Sequence, residues 1–295
     1  MTDATKGTAC ALLAPLCWAV AVILFKRSDR ASPVSLNLFK NTFAFVLLSL
    51  TLVALGISLP RDRPLSDWVR LAASGLLGLA IADTMLFAAL SRIDASRLAA
   101  VDTLYSPAVV ALSIPLLGER HTLTFALGAA AVVTGIAIAT IRRRPLATSP
   151  GVWVGTLLGA GAISGTALGV VIAKPVLERS DLWEVTWTRL AVGLAGQAAW
   201  VAVTGRGTEA RRAFVPSSLW RTLVPAAFVG TYVSLVLWLG GFKWADASVA
   251  AVLNQLATVY VLVLARVVLG ETLRPAQVAG TLLAAAGAGW IVLTR

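Results

Sequence analysis

A chain of 295 residues with a mean hydropathy of +0.84, 58% hydrophobic and only 13% charged, cannot fold as one water-soluble unit without exposing much apolar surface, since soluble domains run nearer 45–50% apolar and about 25% charged. The formal charge of +11 does not point to a nucleic-acid partner, because nearly all 25 Lys and Arg fall between apolar runs, where they anchor loops at anionic lipid head groups. The only cysteines, Cys10 and Cys17, share the first run, which excludes a disulfide framework; neither metal nor cofactor is expected.

Ten apolar runs follow in chain order: Gly7 to Phe25, Val34 to Leu55, Val69 to Leu90, Leu98 to Leu117, Leu123 to Ile141, Val152 to Ala173, Val185 to Val203, Thr222 to Phe242, Ser248 to Leu269 and Ala276 to Leu293. Each is roughly 18–22 residues, enough for a helix rising 1.5 Å per residue to cross a hydrocarbon core of about 30 Å. Strands would need short alternating segments, which are absent. The first run is span-length with a barely basic lead and Lys26-Arg27 directly after it, so it reads as an uncleaved helix. Ser32-Pro33, Pro64 to Asp67 and Arg142 to Pro145 mark ends of runs.

An internal repeat organises these runs. At a constant offset of 152, Gly78, Asp94-Ala95-Ser96, Ala99, Leu104, Gly118-Glu119, Gly128 and Gly135 fall on Gly230, Asp246-Ala247-Ser248, Ala251, Leu256, Gly270-Glu271, Gly280 and Gly287. Lys26 and Lys40 fall near Lys174 and Arg189 at a shift of 148–149. Polar matches at one offset do not arise from shared apolar composition. The reading is an all-α membrane protein of ten transmembrane helices in two homologous five-helix repeats, 7–141 and 152–293, with a linker at 142–151. Five spans per half send the second half into the membrane from the opposite face, so the halves are inverted. Many secondary transporters build a midplane site between such halves, and transport is favoured over a channel or membrane enzyme.

The chain resembles the EamA family of the drug/metabolite transporter superfamily. The resemblance is carried by Phe25-Lys26 ending the first span, Lys40 early in the second, and the hairpin Leu116-Leu117-Gly118-Glu119-Arg120. Ala173-Lys174, Arg189 and Val268-Leu269-Gly270-Glu271-Thr272 repeat these features. It implies ten helices around a central cavity between inverted four-helix halves, with the fifth and tenth helices outside. It also implies export or exchange of small metabolites, often amino acids, without ATP, in the cell (inner) membrane.

Ionisable residues inside spans cost about 2.5–3.5 kcal/mol each at a helix centre and need a partner or a water-filled cavity. Lys40, Asp83, Asp102 and Arg189 are of this kind, two cations and two anions. Asn37, Lys40 and Asn41 share one face of the second helix, and Asp102, Tyr105 and Ser106 one face of the fourth, where Pro107 frees the carbonyl of Thr103. Asn254 and Thr258 take the corresponding places in the second half, while Asp83 has only Leu235 opposite it. These residues are expected to bind substrate: Lys40 or Arg189 a carboxylate, Asp83 or Asp102 an amine or proton. Two bland alternatives stay open: Lys40, Arg189 and Asp102 snorkelling to the interface, and Lys40–Asp83 pairing only to fix helix order. Trp18, Trp187 and Trp238 lie inside spans and either stack on substrate or pack; Trp18 is taken with the cavity. Trp68, Trp183, Trp220, Trp244 and Trp290 read as interfacial belts. Glu119 and Glu271 are expected to cap or orient the helix after their hairpins. Gly155/Gly159 and Gly161/Gly165/Gly169 permit close approach on the sixth helix.

No G-x-x-x-x-G-K-[ST] or H-E-x-x-H stretch is present, so neither ATP drive nor metal hydrolysis is expected, and the chain reads as a non-enzyme. The function expected is a secondary transporter of small metabolites, amino acids first, with the bilayer and a small-molecule substrate as partners and a monomer sufficient. Its rivals are a drug exporter or sugar-phosphate carrier on the same fold, and a membrane-embedded enzyme or lipid-handling scaffold. Nine Lys and Arg lie on the face bearing the termini against fourteen on the other. That count favours external termini, whereas the resemblance implies cytoplasmic ones.

Overall fold

The computed structural model describes residues 2–26, 32–90, 92–93, 98, 101–140, 150–268, 270 and 272–294, and its regular structure there is entirely helical. In chain order the helices are α1 (Asp3–Lys26), α2 (Pro33–Ala54), α3 (Leu65–Gly75), α4 (Ala82–Leu90), α5 (Tyr105–Leu117), α6 (Leu123–Thr140) and α7 (Pro150–Arg179). Then come α8 (Leu182–Val203), the short α9 (Gly207–Arg211), α10 (Trp220–Ala227), α11 (Ser234–Trp244), α12 (Ala247–Asn254), α13 (Leu256–Val268) and α14 (Pro275–Leu293). The starts of α2 and α8 follow local chemistry: the Ser32 side chain accepts from Ser35 N ahead of Pro33, and Asp181 accepts from the backbone N–H groups of Trp183 and Glu184, meeting donors that have no partner within the helix. Gly118 at φ +70 ends α5, a conformation open to glycine at no steric cost. The linker read at 142–151 lies, from 142 to 149, outside the described residues.

Eight helices among the described residues are long and apolar enough to cross a membrane. Two of the ten predicted runs differ from that standard. The fourth gives the shorter apolar helix Tyr105–Leu117, and the seventh gives α8, which is 22 residues long but buries Glu184, Arg189 and Gln197. Large side chains on the outer surface are apolar, including Val53, Leu123, Leu157, Leu282 and Leu293, as lipid contact requires.

Two of the long helices are not regular α-helix. α3 runs into α4 through a π-helical turn at Leu76–Ile81, and α10 runs into α11 through another at Phe228–Val233. The two turns are offset by the same 152 residues as the sequence repeat. A second pair of irregularities obeys that offset: Thr103 and Leu104 form a turn between helical Asp102 and α5, and Gln255 interrupts the passage from α12 to α13.

Packing crosses between the halves. α1 packs on α11 and α13, α7 on α4 and α5, α2 on α8, and α6 most extensively on α14. Exchanging the halves leaves this pattern unchanged, as a two-fold relation between them requires. α6 and α14 run antiparallel, because Gly128 meets Gly287 and Ile291 while Gly135 meets Gly280 and Ala284. A Cβ on Gly135 would stand 2.5 Å from the Ala284 nitrogen, so only glycine lets the two backbones close to this distance. On α7, Gly155, Gly161 and Gly169 receive Ile93, Met85 and Ser74, and the Ser74 hydroxyl donates to the Gly169 carbonyl.

Candidate functional site

A cavity of about 330 Å³ opens between the halves, lined from α1 by Trp18, from α2 by Lys40 and Asn41, from α4 by Asp83, and from the break before α5 by Asp102 and Tyr105. The second half contributes Thr231 of its π turn, Ser234 and Trp238 of α11, and Asn254 and Gln255 at the α12–α13 break. Both π turns and both helix breaks therefore meet at this cavity. That volume is at the lower end of the range for small-molecule sites.

One wall is an internally satisfied polar cluster. Lys40 Nζ lies 4.0 Å from Asp83 Oδ2 and donates to Asn41 Oδ1 at 3.2 Å. Asn41 Nδ2 donates to Gln197 Oε1 at 2.9 Å and to Asn37 Oδ1 at 3.4 Å. Gln197 Nε2 then donates to the Leu79 carbonyl at 2.7 Å and to Asp83 Oδ2 at 3.3 Å. Leu79 belongs to the first π turn, where the widened i→i+5 pattern disturbs the carbonyl ladder. A single amide side chain of α8 thus ties that turn to α2 and α4.

The other wall differs. No hydrogen bond or ion pair reaches the Asp102 carboxylate among the described residues, although the Asp102 backbone carbonyl accepts from Gln255 Nε2 at 2.9 Å. This contact joins the two helix breaks across the pseudo-two-fold. Among the described residues, the Tyr105 hydroxyl, Thr231 Oγ1 and Asn254 Nδ2 are buried without a hydrogen-bond partner.

Of the residues singled out in the sequence, Trp18, Lys40, Asn41, Asp83, Asp102, Tyr105 and Asn254 come together on the cavity. Asn37 stands behind them on a separate crevice with Thr84, Gln197 and Trp200. Arg189 is 2% exposed and lies off the cavity surface, its guanidinium 5.5 Å from the Trp238 ring centroid; it is not snorkelling. Thr258 is off the cavity too, where its neighbour Ala257 takes a place in the lining. Trp187 packs on Phe45 and donates to Ser49 Oγ, whereas Trp238 lines the cavity.

Glu119 does not cap the helix that follows it. It reaches across to α12 of the opposite half, accepting from Ala247 N, Ser248 N and the Ser248 hydroxyl, because packing brings the exposed N–H groups of α12 to α5. Glu271 lies outside the described residues. Lys174, the repeat counterpart of Lys26, donates to the Phe242 and Ala245 carbonyls at the end of α11, each at 2.9 Å, and pairs with Glu178, which makes it a helix-end tether.

Sequence reading missed Gln197, Gln255 and Thr231, uncharged polar residues whose spacing carries no signature. It also missed the ion pairs between the halves on the face that bears the N-terminus. There Arg63 grips Glu184 through both guanidinium nitrogens at 2.5 and 2.7 Å and donates to Ser180 Oγ, and Arg179 pairs with Asp67 at 2.5 Å. Both pairs join one half to the other. Among the described residues no ion pair spans the halves on the opposite face, where Ser35 accepts from Ala213 N and donates to the Ala210 carbonyl.

A family model described as the EamA-like transporter family matches residues 5–141 and again residues 153–293. No curated protein matches the chain. A solved structure titled only "Crystal structure of protein" aligns with a TM-score of 0.82 over 98% of this chain and 97% of that one, at 21% identity, and shows the shared fold.

Proposed function

The chain belongs to the EamA-like transporter family of the drug/metabolite transporter superfamily, and from that premise we propose that it is a secondary carrier of small metabolites, amino acids foremost, working by alternating access. In this reading ten spans form two inverted five-helix repeats in the cell (inner) membrane, with both termini cytoplasmic, and the halves rock about the cavity between them. Substrate shifts the two access states by binding them unequally. The multi-pass membrane character itself follows from the family and the apolar helices.

The observation that carries the proposal is the meeting of four helix irregularities, two from each half, at one cavity with a charged lining. Broken helices at mid-membrane are tolerated only where they are buried in protein or line a water-filled space. Within that space Lys40 and Asp83 hold each other, while the Asp102 carboxylate faces the cavity with no partner among the described residues. Asp102 is the group that meets a substrate ammonium or a coupling proton.

Purified protein in proteoliposomes should accumulate a labelled amino acid from a screened set, and Asp102→Asn should reduce uptake by at least tenfold with an unchanged elution profile on size exclusion. No flux for any amino acid would overturn the substrate class, and full activity of Asp102→Asn would overturn the role of this carboxylate.

A further inference from the structure

Arg189 stands apart from every other buried charge described. Its side chain is almost wholly enclosed, Nε and Nη1 have no hydrogen-bond partner, and no carboxylate pairs with it among the described residues. The face of Trp238 at 5.5 Å gives partial compensation. A cation–π contact falls short of the cost of burying a guanidinium in a membrane protein, and the same position would accept an apolar side chain at no such cost.

The surroundings point to an absent anion. Two cavity-lining residues border the guanidinium, Trp238 and Gly78. At Gly78 a Cβ would come to 3.8 Å from Arg189 Nη2, an ordinary contact distance, so glycine leaves open the space that a methyl group would fill between the cation and the cavity. The unpartnered atoms of the same wall can all donate: the Tyr105 and Thr231 hydroxyls and the Asn254 amide.

We propose that Arg189, reached past Gly78 and supported by Tyr105, Thr231 and Asn254, is the subsite for a carboxylate of the carried molecule, and that Lys40 is not. The assignment rests on the carrier reading above and deepens it. A planar guanidinium, with further donors on the cavity wall, matches an acceptor-only carboxylate. Lys40, by contrast, is already engaged by Asn41 and Asp83. A doubly charged phosphate would leave one charge without a counter-ion here and would face Asp102. A molecule with one carboxylate and one ammonium satisfies both ends of the wall.

The test is binding to the full chain in detergent, read by tryptophan fluorescence, with leucine, phenylalanine and threonine each compared with its amide, which lacks the carboxylate. The free acids should bind at least tenfold more tightly than the amides. Arg189→Met should abolish that preference, Arg189→Lys should restore part of it, and Gly78→Ala should weaken acid binding several-fold in a folded protein. Ligand-free Arg189→Met should unfold at the same temperature as the parent or higher, because it removes an uncompensated cation. Equal binding of acids and amides, no binding of any of the six, a preference surviving Arg189→Met, or a lowered unfolding temperature in that variant would each overturn the subsite. Acid preference without flux in proteoliposomes would sink the carrier and leave the subsite, whereas flux of the amides unaffected by Arg189→Met would do the reverse.

Discussion

Lys40 and Asp83 illustrate how one buried pair constrains the cavity. Each side chain keeps partial exposure, 15% and 22%, so the cost of breaking the pair lies between the limits for exposed and fully buried ions, about 1–3 kcal/mol. Lys40→Met and Asp83→Leu should each lower the unfolding temperature in detergent, and the double variant should recover most of the loss while remaining inactive in uptake. A double variant no more stable than either single one would show that the two charges are not coupled. Both residues were legible in the sequence because an ionisable group inside an apolar run is costly and must be explained. Gln197 was not, since an amide in such a run carries a smaller penalty and its three partners come from α2, α4 and the first π turn, distant in sequence. Arg63 and Glu184 sit near run ends, where a charge reads equally well as an interfacial anchor.

At the level of the helix, the contact of α6 with α14 depends on absent side chains. A Cβ at Gly280 would press on the Gly135 carbonyl and stand 2.6 Å from the Ala139 nitrogen, whereas nothing lies within 4 Å of one at Gly289 on the same helix. Gly280→Val should therefore destabilise the protein by about 1–3 kcal/mol or more through overpacking, and Gly289→Val should leave the unfolding temperature unchanged. Equal effects of the two would mean that the approach of these helices is not limited by backbone contact. The sequence showed these glycines, because both pairs obey the 152-residue offset. It showed one helix break through Pro107 but not its mate at Gln255, which has no proline beside it, and neither π turn, since a single extra residue in a helix leaves hydropathy unaltered.

For the whole molecule, two ion pairs join the halves on the face bearing the N-terminus. The pair of Arg63 and Glu184 is bidentate and nearly dry, and so is the stronger of the two. Arg63→Ala should shift the population toward opening on that face. In a protein lacking Cys10 and Cys17 and carrying Thr166→Cys on the cavity, maleimide labelling from that side should rise several-fold; no increase would show that the pair does not gate access. A reporter fused after Arg295 assigns the side, and activity only outside would overturn the cytoplasmic termini proposed here, in agreement with the nine-to-fourteen charge count. Length, repeat and polarity thus disclosed the overall plan, while the inter-half ion pairs depended on which loops meet in space. The paired π turns bear on the origin of that plan. Two irregularities at one register, Leu76–Ile81 and Phe228–Val233, are most simply inherited from one ancestral five-helix chain, which would have paired with an upside-down copy of itself. The charges at positions 83 and 102 correspond to Leu235 and Asn254 in the other half, so the two copies share one scaffold but not these two carboxylates.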